Sequence, residues 1–164
     1  MIVAGIDPGK SGALFLYAGM HIRRTVPLHD IRVGSKTKTV PDYVRWGNEW
    51  CDQLLRADHV FIERVGAMPG QGVTSMFSFG YSAGFVYGLV VAAGKPHTFI
   101  TPQSWKKIVG LSGSSGDQSR ARASQLMPEC ASFWARKKDE GIAEAALIAY
   151  AGHQILTGVA GVKA

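Results

Sequence analysis

The chain opens with MIVAGIDPGKSGALFLY, residues 1 to 17, and this stretch indicates the fold most directly. Ile2 to Ile6 is a short apolar run with β-branched residues, and a second apolar run covers Ala13 to Tyr17. Two such runs joined by a tight, glycine-rich connection predict a hairpin of two β-strands. The first run stops on a carboxylate, Asp7, which the following Pro-Gly pair places at the rim of the sheet.

Three interpretations of Asp7 are open. Asp before Pro-Gly is common in turns, so the residue is a candidate turn cap. Gly9-Lys10-Ser11 resembles the end of a phosphate-binding P-loop, but that motif requires a glycine where Ala4 stands and a helix after the serine. In the third interpretation Asp7 binds a divalent metal, because a carboxylate at the end of a buried strand is costly unless it is paired or ligates a metal. This interpretation requires further carboxylates elsewhere in the chain.

Length and composition limit the class of protein. The chain has 164 residues, 46% of them hydrophobic, which indicates one globular domain with its own core. Its only cysteines, Cys51 and Cys130, are too few and too isolated for a disulfide framework or a zinc site. We find no apolar run of transmembrane length and no signal peptide before the first strand, so we expect an intracellular protein without a membrane partner. The net charge of +6 favours a polyanionic partner.

A second apolar strand also ends on an acid. The stretch HVFIERV, His59 to Val65, contains a buried run that stops at Glu63. The simpler interpretation is a surface glutamate paired with Arg64. If the two strands lie side by side, Asp7 and Glu63 share one edge of the sheet, where like charges tolerate each other only with a cation between them.

A third group of acids opens the last predicted helix, from about Asp139 to Leu156. Glu140 and Glu144 lie four residues apart and therefore share one face of a helix. Acids in a first turn also complement the helix dipole, which is the simpler interpretation. Glu144, however, precedes the apolar run from Ala145 to Ala149, and an acid facing a core requires a metal or a basic partner.

The remaining patterns predict a third strand, a long glycine-containing helix and several shorter elements. The glycines recur every four residues along the long helix, which predicts close approach of another element or a dimer face, and its Ser, Tyr and Thr residues argue against a membrane span. These elements are a strand at His21–Pro27, a basic loop at Asp30–Thr39, a helix at Val40–Arg56, the long helix at Thr74–Ala93 with Gly80, Gly84 and Gly88, a strand at His97–Thr101, a short helix from Pro102 and a helix at Asp117–Met127.

The order of these elements resembles the RNase H-like fold, and the motifs resemble those of the RuvC-type Holliday junction resolvases, most closely the phage members. The resemblance implies an α/β fold with a mixed five-stranded sheet flanked by helices, a nuclease domain over residues 1–158 and a flexible tail over residues 159–164. It covers most of the chain in the expected order. The matching stretches are GIDPGKSGA at Gly5–Ala13, FIERV at Phe61–Val65, MPGQGVTSMFSFG at Met68–Gly80, SWKK at Ser104–Lys107, SRARASQLMP at Ser119–Pro128 and KKDEGIAEAALIA at Lys137–Ala149.

The resemblance also implies a metal site. Four carboxylates would bind two Mg²⁺ ions, with Mn²⁺ as a substitute, and Asp7, Glu63 and Glu144 match three of the ligands. Helical geometry favours Glu140 as the fourth, and Asp139 is the alternate. One ion would activate water and the other would stabilise the leaving 3′-oxygen, which leaves 5′-phosphate and 3′-hydroxyl ends.

Resolvases of this family act as homodimers that make symmetric nicks in branched DNA, without a small-molecule cofactor. We therefore expect a cytoplasmic enzyme, in a bacterial host cell if it is phage-encoded, with the glycine-rich helix as its dimer face. Phe77 and Phe79 belong to the core or stack on a junction base. Lys107 or Lys138 would steady charge in the transition state. The candidate phosphate contacts near the acids are Lys106, Lys107, Arg120, Arg122, Arg136, Lys137 and Lys138.

Two rival functions are also open. An actin-like sugar kinase opens with Asp-x-Gly at a strand end too, but such chains need two lobes, and this chain is too short for them. A nucleic-acid-binding relative without catalytic activity would result if one of the acids is missing from the site.

Overall fold

The computed structural model describes residues 1–9, 12–19, 21–27, 30–33, 38–66, 70, 72–111 and 116–159. Two short 3₁₀ helices, Pro128–Trp134 and Lys137–Asp139, precede the last α-helix. The strands are Val3–Asp7 (β1), Ala13–Ala18 (β2), His21–Pro27 (β3), Asp30–Val33 (β4), Lys38–Pro41 (β5), His59–Glu63 (β6) and His97–Ile100 (β7). The helices are Tyr43–Arg56 (α1), Val73–Ala92 (α2), Pro102–Ile108 (α3), Gly116–Leu126 (α4) and Glu140–Leu156 (α5).

The main sheet has five strands in the order β3-β2-β1-β6-β7. The first three strands form an antiparallel meander, and β6 and β7 add to β1 in parallel. Parallel strands require a crossover connection, and helices α1 and α2 provide these connections. The predicted mixed five-stranded sheet flanked by helices is therefore confirmed.

Strand alternation divides the core between the two faces of the sheet. Val3, Phe15 and Phe61 pack in one cluster with helix α5. Ile6 and Ile62 pack in the other cluster with helices α1 and α2. Since Asp7 lies two residues after Gly5, and Glu63 two residues after Phe61, both acids follow the alternation of the α5 face.

Gly5 allows helix α5 to lie directly on strand β1. A Cβ atom at this position would lie 2.2 Å from the carbonyl oxygen of Ala145 and 2.3 Å from the amide nitrogen of Ala149. No side chain fits in that space, so any replacement of Gly5 would push α5 off the sheet. Glu144 immediately precedes Ala145, and the close approach at Gly5 therefore brings it towards the end of β1.

The segment between β3 and α1 differs from the sequence prediction. The predicted basic loop at Asp30–Thr39 contains strand β4 and the start of β5, which pair as a separate antiparallel sheet, while residues 34–37 lie outside the described residues. The predicted helix at Val40–Arg56 begins later, at Tyr43, with Asp42 as its N-cap. A residue before proline avoids the helical conformation, so Val40 and Pro41 continue β5.

Helix α2 exposes much of its apolar surface, so of the two positions predicted for Phe77 the core position is wrong. Phe77 is 74% exposed, whereas Val86 and Val90 on the opposite side are fully buried. Contrary to the expectation that no segment is long enough, α2 has 20 residues with a mean hydropathy of 1.3, which suffices for a membrane span by length and composition. Its buried side, with Val86 and Val90, packs in the core cluster of α1, and 17% of the span-length window is buried.

Candidate active site

Asp7 and Glu63 end two neighbouring parallel strands. Ile6 of β1 pairs with Ile62 of β6, so the residues that follow lie side by side at the same edge of the sheet. Asp7 is buried, with 8% of its surface exposed, and Glu63 is half-buried. The structure thus brings together the two strand acids that the sequence pattern singled out.

A tight turn after β1 holds the Asp7 side chain. The amide of Gly9 donates to Asp7 Oδ1 at 2.9 Å, and the amide of Gly12 donates to the carbonyl oxygen of Gly9 at 2.9 Å. A Cβ atom on Gly12 would lie 2.1 Å from the Asp7 carbonyl oxygen, so only glycine fits there. Strand β2 follows the turn directly, which excludes the P-loop interpretation because that motif needs a helix. Residues 10 and 11 lie outside the described residues.

Helix α5 adds two more acids to this edge. Glu140 begins the helix and Glu144 follows one turn later, and both act electrostatically on Asp7. The pKa of Asp7 is raised to about 7, mainly by burial and also by the charges of Glu144, Glu63 and Glu140, while the hydrogen bond from Gly9 lowers it. We call these four carboxylates the acid cluster: Asp7, Glu63, Glu140 and Glu144.

Two half-buried members of the acid cluster, Glu63 and Glu144, each accept one hydrogen bond. Burial raises the pKa of Glu63, while a hydrogen bond from Trp105 and the charge of Lys106 lower it. Burial likewise raises the pKa of Glu144, Glu63 and Glu140 raise it further, and a hydrogen bond from Ser119 lowers it. Burial and mutual repulsion therefore disfavour the ionised forms of these acids, and a bound cation would relieve that cost.

Asp139, the alternate fourth ligand, is hydrogen-bonded to Arg136. Its Oδ2 accepts from Arg136 Nε at 2.8 Å, and its Oδ1 accepts from the terminal nitrogen Nη2 of Arg136 at 2.9 Å. The Arg136 amide also donates to Oδ2 at 3.2 Å. The hydrogen bonds from the Arg136 side chain hold the pKa of Asp139 below its usual value. Both oxygens are thus occupied by Arg136, and Asp139 is not among the acids that raise the pKa of Asp7.

The acid cluster suits a divalent metal in its donor chemistry. Carboxylate oxygens are the ligands that Mg²⁺ and Mn²⁺ prefer, and a cation would remove the repulsion that the four acids share. Among the described residues, no three His, Cys, Asp or Glu side chains lie close enough together to enclose a metal ion. The four acids therefore interact electrostatically but do not enclose a metal position. Metal binding stays a prediction.

The predicted phosphate contacts are four lysines, the two arginines of α4, and Arg136, which binds Asp139. Lys107, Lys137 and Lys138 are exposed, and the Lys106 amine lies 5.3 Å from the centre of the Trp105 ring. Lys106 also lowers the pKa of two members of the acid cluster, so it is a cation directed at the site.

The two predicted arginines of α4 are engaged within the chain. Arg122 Nε donates to the Val109 carbonyl oxygen at 2.5 Å, and its Nη1 donates to Gln125 Oε1 at 3.0 Å. Arg120 Nη1 donates to the Ala135 carbonyl oxygen at 3.3 Å, at a shallow surface pocket of about 250 Å³ next to Trp134. DNA contacts by these arginines stay predictions. The hydrogen bonds that the two side chains already form within the chain weaken the case for such contacts.

Two site residues were not identified from the sequence, Trp105 and Ser119, which bond Glu63 and Glu144. Trp105 has the pattern of an ordinary core aromatic, and Ser119 that of a polar residue early in a helix. Their only signal was that each lies in a stretch that carried the family resemblance, SWKK or SRARASQLMP.

The raised pKa of Asp7 predicts that the metal-free protein loses stability as pH rises. Between the ordinary value of 3.8 and about 7, the folded state binds more protons than the unfolded chain, so each rise in pH favours unfolding. Ionised Asp7 then destabilises the fold by up to about 4 kcal/mol. Asp7→Asn keeps the acceptor for Gly9, and we expect it to raise the free energy of unfolding.

Urea denaturation with a chelator present, at pH 5 and pH 8, measures this effect. The stabilisation by Asp7→Asn should be larger at pH 8 than at pH 5. Equal stabilisation at both values, or a loss at pH 8, would contradict the burial argument for Asp7.

Comparison with known proteins identifies the fold. The sequence matches no protein-family model and no curated protein. Among solved structures it is similar to T. thermophilus RuvC in complex with a Holliday junction substrate, with 16% identity over 96% of each chain and a TM-score of 0.62. It is also similar to a second Thermus thermophilus RuvC structure, with 17% identity, a TM-score of 0.56, and coverage of 96% of this chain and 97% of that one. The predicted resemblance is thereby confirmed at the level of the fold, and the chain has the RNase H-like fold of these RuvC structures.

Proposed function

We propose that the chain is a metal-dependent endonuclease that resolves four-way DNA junctions. The observation that carries the proposal is the acid cluster, in which two strand ends and one helix direct carboxylates to one edge of the sheet. The fold supports it, because one structure with this fold is a RuvC in complex with a Holliday junction substrate. The net charge of +6 suits a DNA partner.

The acid cluster would hold two Mg²⁺ ions, or Mn²⁺ in their place. Bound there, the ions would supply an activated water and stabilise the leaving 3′-oxygen, so that cleavage leaves 5′-phosphate and 3′-hydroxyl ends. Asp7 accepts a hydrogen bond from the Gly9 amide, Glu63 accepts one from Trp105, and Glu144 accepts one from Ser119.

Lys106 is the best candidate for steadying charge on the phosphate that is cleaved. The sequence had suggested Lys107 or Lys138 for this role, but Lys106 is the one that lowers the pKa of Glu63 and Glu144. An ammonium that acts electrostatically on these acids would also stabilise negative charge on a phosphate bound beside them.

A labelled four-way junction tests the proposal. Incubation with Mg²⁺ should produce paired nicks in two strands of like polarity, with no nicks in chelator or in linear duplex of the same sequence. Binding without nicking in Mg²⁺ or Mn²⁺ would favour the non-catalytic relative and overturn the nuclease. ATP hydrolysis in place of cleavage would favour the kinase.

A charge reversal separates phosphate contacts from solvated surface. Replacing Lys106 and Lys107 together by Glu is expected to weaken junction binding in chelator at least about tenfold, and to reduce the slope of the salt dependence by about 0.9 for each phosphate that is no longer neutralised. The matched control reverses Arg56 and Lys95, which precede β6 and β7 at the opposite edge of the sheet. Equal weakening by both pairs would show a general charge effect and place the two lysines off the DNA path.

We further propose that the exposed side of α2 is the interface of a homodimer. Cβ atoms built on Gly80, Gly84 and Gly88 would meet nothing within 4 Å, so the predicted close approach does not occur within the described part of the chain. Phe77 and Tyr81 beside this stripe are 74% and 60% exposed. A stripe of glycines flanked by exposed aromatics suits a second copy of the same helix, and a two-fold protein matches a two-fold junction.

Gly84→Glu is expected to convert the dimer to monomer. The stripe is open in the single chain, so the added side chain disturbs no internal packing among the described residues, whereas it would place a charge in the interface. Light scattering at micromolar concentration measures the state, and Asn48→Glu on α1 is the control. A wild-type protein that is monomeric with and without junction DNA would refute the interface.

A further inference from the structure

Two buried side chains from different helices each donate one hydrogen bond to the acid cluster. Trp105 Nε1 of α3 donates to Glu63 Oε1 at 2.9 Å. Ser119 Oγ of α4 donates to Glu144 Oε1 at 3.1 Å. Trp105 is fully buried and Ser119 is 3% exposed, so neither donor has ready access to water as an alternative partner.

The chemistry of these donors restricts the orientation of the acids that accept from them. An indole nitrogen only donates, and a buried donor without an acceptor costs about 1–3 kcal/mol. Trp105 therefore holds the Glu63 carboxylate in one orientation. Each bond also favours the ionised form of its acid, against the burial that raises the pKa of Glu63 and Glu144.

The elements behind the two donors are well anchored. Helix α3 begins at a cap in which Thr101 Oγ1 accepts from the Ser104 amide at 3.2 Å, and Trp105 follows within its first turns. Helix α4 packs against α5, and both donors' helices contribute to the core cluster on the α5 face. The donors are therefore fixed by packing and do not depend on exposed loops.

We propose that Trp105 and Ser119 are positioning residues that orient Glu63 and Glu144 for divalent cations. The inference rests on the proposed function and deepens it, since it assigns the support of two acids to two residues outside the acid cluster. Partners of this kind, which bind the ligands of a metal without touching the metal, typically change metal affinity about 10–100-fold when they are removed.

The chain contains a matched control for each donor. Trp134 is another buried indole of the same core cluster, and its Nε1 donates to Ser124 Oγ at 2.9 Å. Ser124 is another hydroxyl of α4, and it donates to the Arg120 carbonyl oxygen at 2.9 Å. These bonds have the same chemistry but end on neutral oxygens, so their loss reports the structural cost alone.

The test measures Mn²⁺ binding by isothermal titration calorimetry in the full chain without DNA. Trp105→Phe and Ser119→Ala should raise the dissociation constant for Mn²⁺ about 10–100-fold. Trp134→Phe and Ser124→Ala should lower the melting temperature without changing that constant by more than about twofold. Ser119→Thr keeps a hydroxyl and should recover most of the affinity lost in Ser119→Ala.

The outcomes separate the inference from the proposed function. If wild type binds Mn²⁺ and nicks junctions, but Trp105→Phe and Ser119→Ala match their controls, the positioning roles are wrong and the nuclease stands. If wild type binds no Mn²⁺, or if Asp7→Asn does not remove the binding, the proposed metal site is refuted. The inference that rests on that site is then refuted too. If Trp105→Phe does not fold, the comparison of Ser119→Ala with Ser124→Ala decides the question. Each of these two substitutions removes a single oxygen from the same helix.

Discussion

Asp7→Asn is expected to lower the rate of junction cleavage by at least about two to three orders of magnitude. The change keeps the shape of the side chain and its acceptor for the Gly9 amide, and it removes a negative charge at the centre of the acid cluster. Junction binding in chelator should stay the same or improve, because one repulsion of the DNA phosphates is lost. Gel assays of nicking and of binding on the same labelled junction measure both effects.

Glu63→Gln and Glu144→Gln should behave as Asp7→Asn does in cleavage. Gly9 is not a suitable control, since a side chain there would lie 3.1 Å from Asp7 Oδ1. Asp58→Asn removes an acid from the opposite edge of the sheet, where Asp58 Oδ2 accepts from the Ile2 amide, and it should leave cleavage unchanged. Full cleavage by Asp7→Asn would refute the metal-nuclease proposal itself.

Glu140→Gln and Asp139→Asn are expected to differ sharply. Glu140 acts on Asp7 and Glu144, so its replacement should lower cleavage about 100-fold or more. Both oxygens of Asp139 are held by Arg136, so its replacement should leave cleavage within a few-fold of wild type and lower the melting temperature.

The pH dependence identifies the role of Asp139 independently. Because its folded pKa is lowered, the carboxylate stabilises the fold above its ordinary pKa, and this contribution is lost as pH falls through the folded value. The stability difference between wild type and Asp139→Asn should therefore be present at pH 7 and shrink below about pH 4.

If Asp139→Asn abolishes cleavage and Glu140→Gln does not, Asp139 is the fourth ligand.

Much of the fold could be predicted from residue patterns. The apolar runs before Asp7 and Glu63 lie in buried strands, and the run after Glu144 is buried in α5. The long α2 helix was predicted within one residue at each end. Long or strongly apolar segments reveal their structure because burial of such segments dominates their free energy.

Other features could not be predicted because they depend on distant residues. Strands β4 and β5 have only four residues each, and they are stabilised by pairing with each other. Phenylalanine is usually a core residue, so the sequence does not reveal that Phe77 is exposed. Only the placement of α1 and the sheet shows that the side of α2 with Phe77 faces away from α1 and the sheet. A hydrophobic pattern shows that a face is apolar without showing what covers it.

Local periodicity was enough to predict that two strands end on acids and that a late helix brings more. Helical geometry favoured Glu140 as the helix acid that joins them and left Asp139 open as the alternate, and only the folded chain shows what Asp139 binds. Glu140 and Asp139 are adjacent in the chain, and Arg136 distinguishes them by binding both oxygens of Asp139. Strand pairing and helix packing likewise place Trp105 against Glu63, 42 residues apart in the chain. Hydrogen bonds across such separations depend on the assembled core, and no local pattern encodes them.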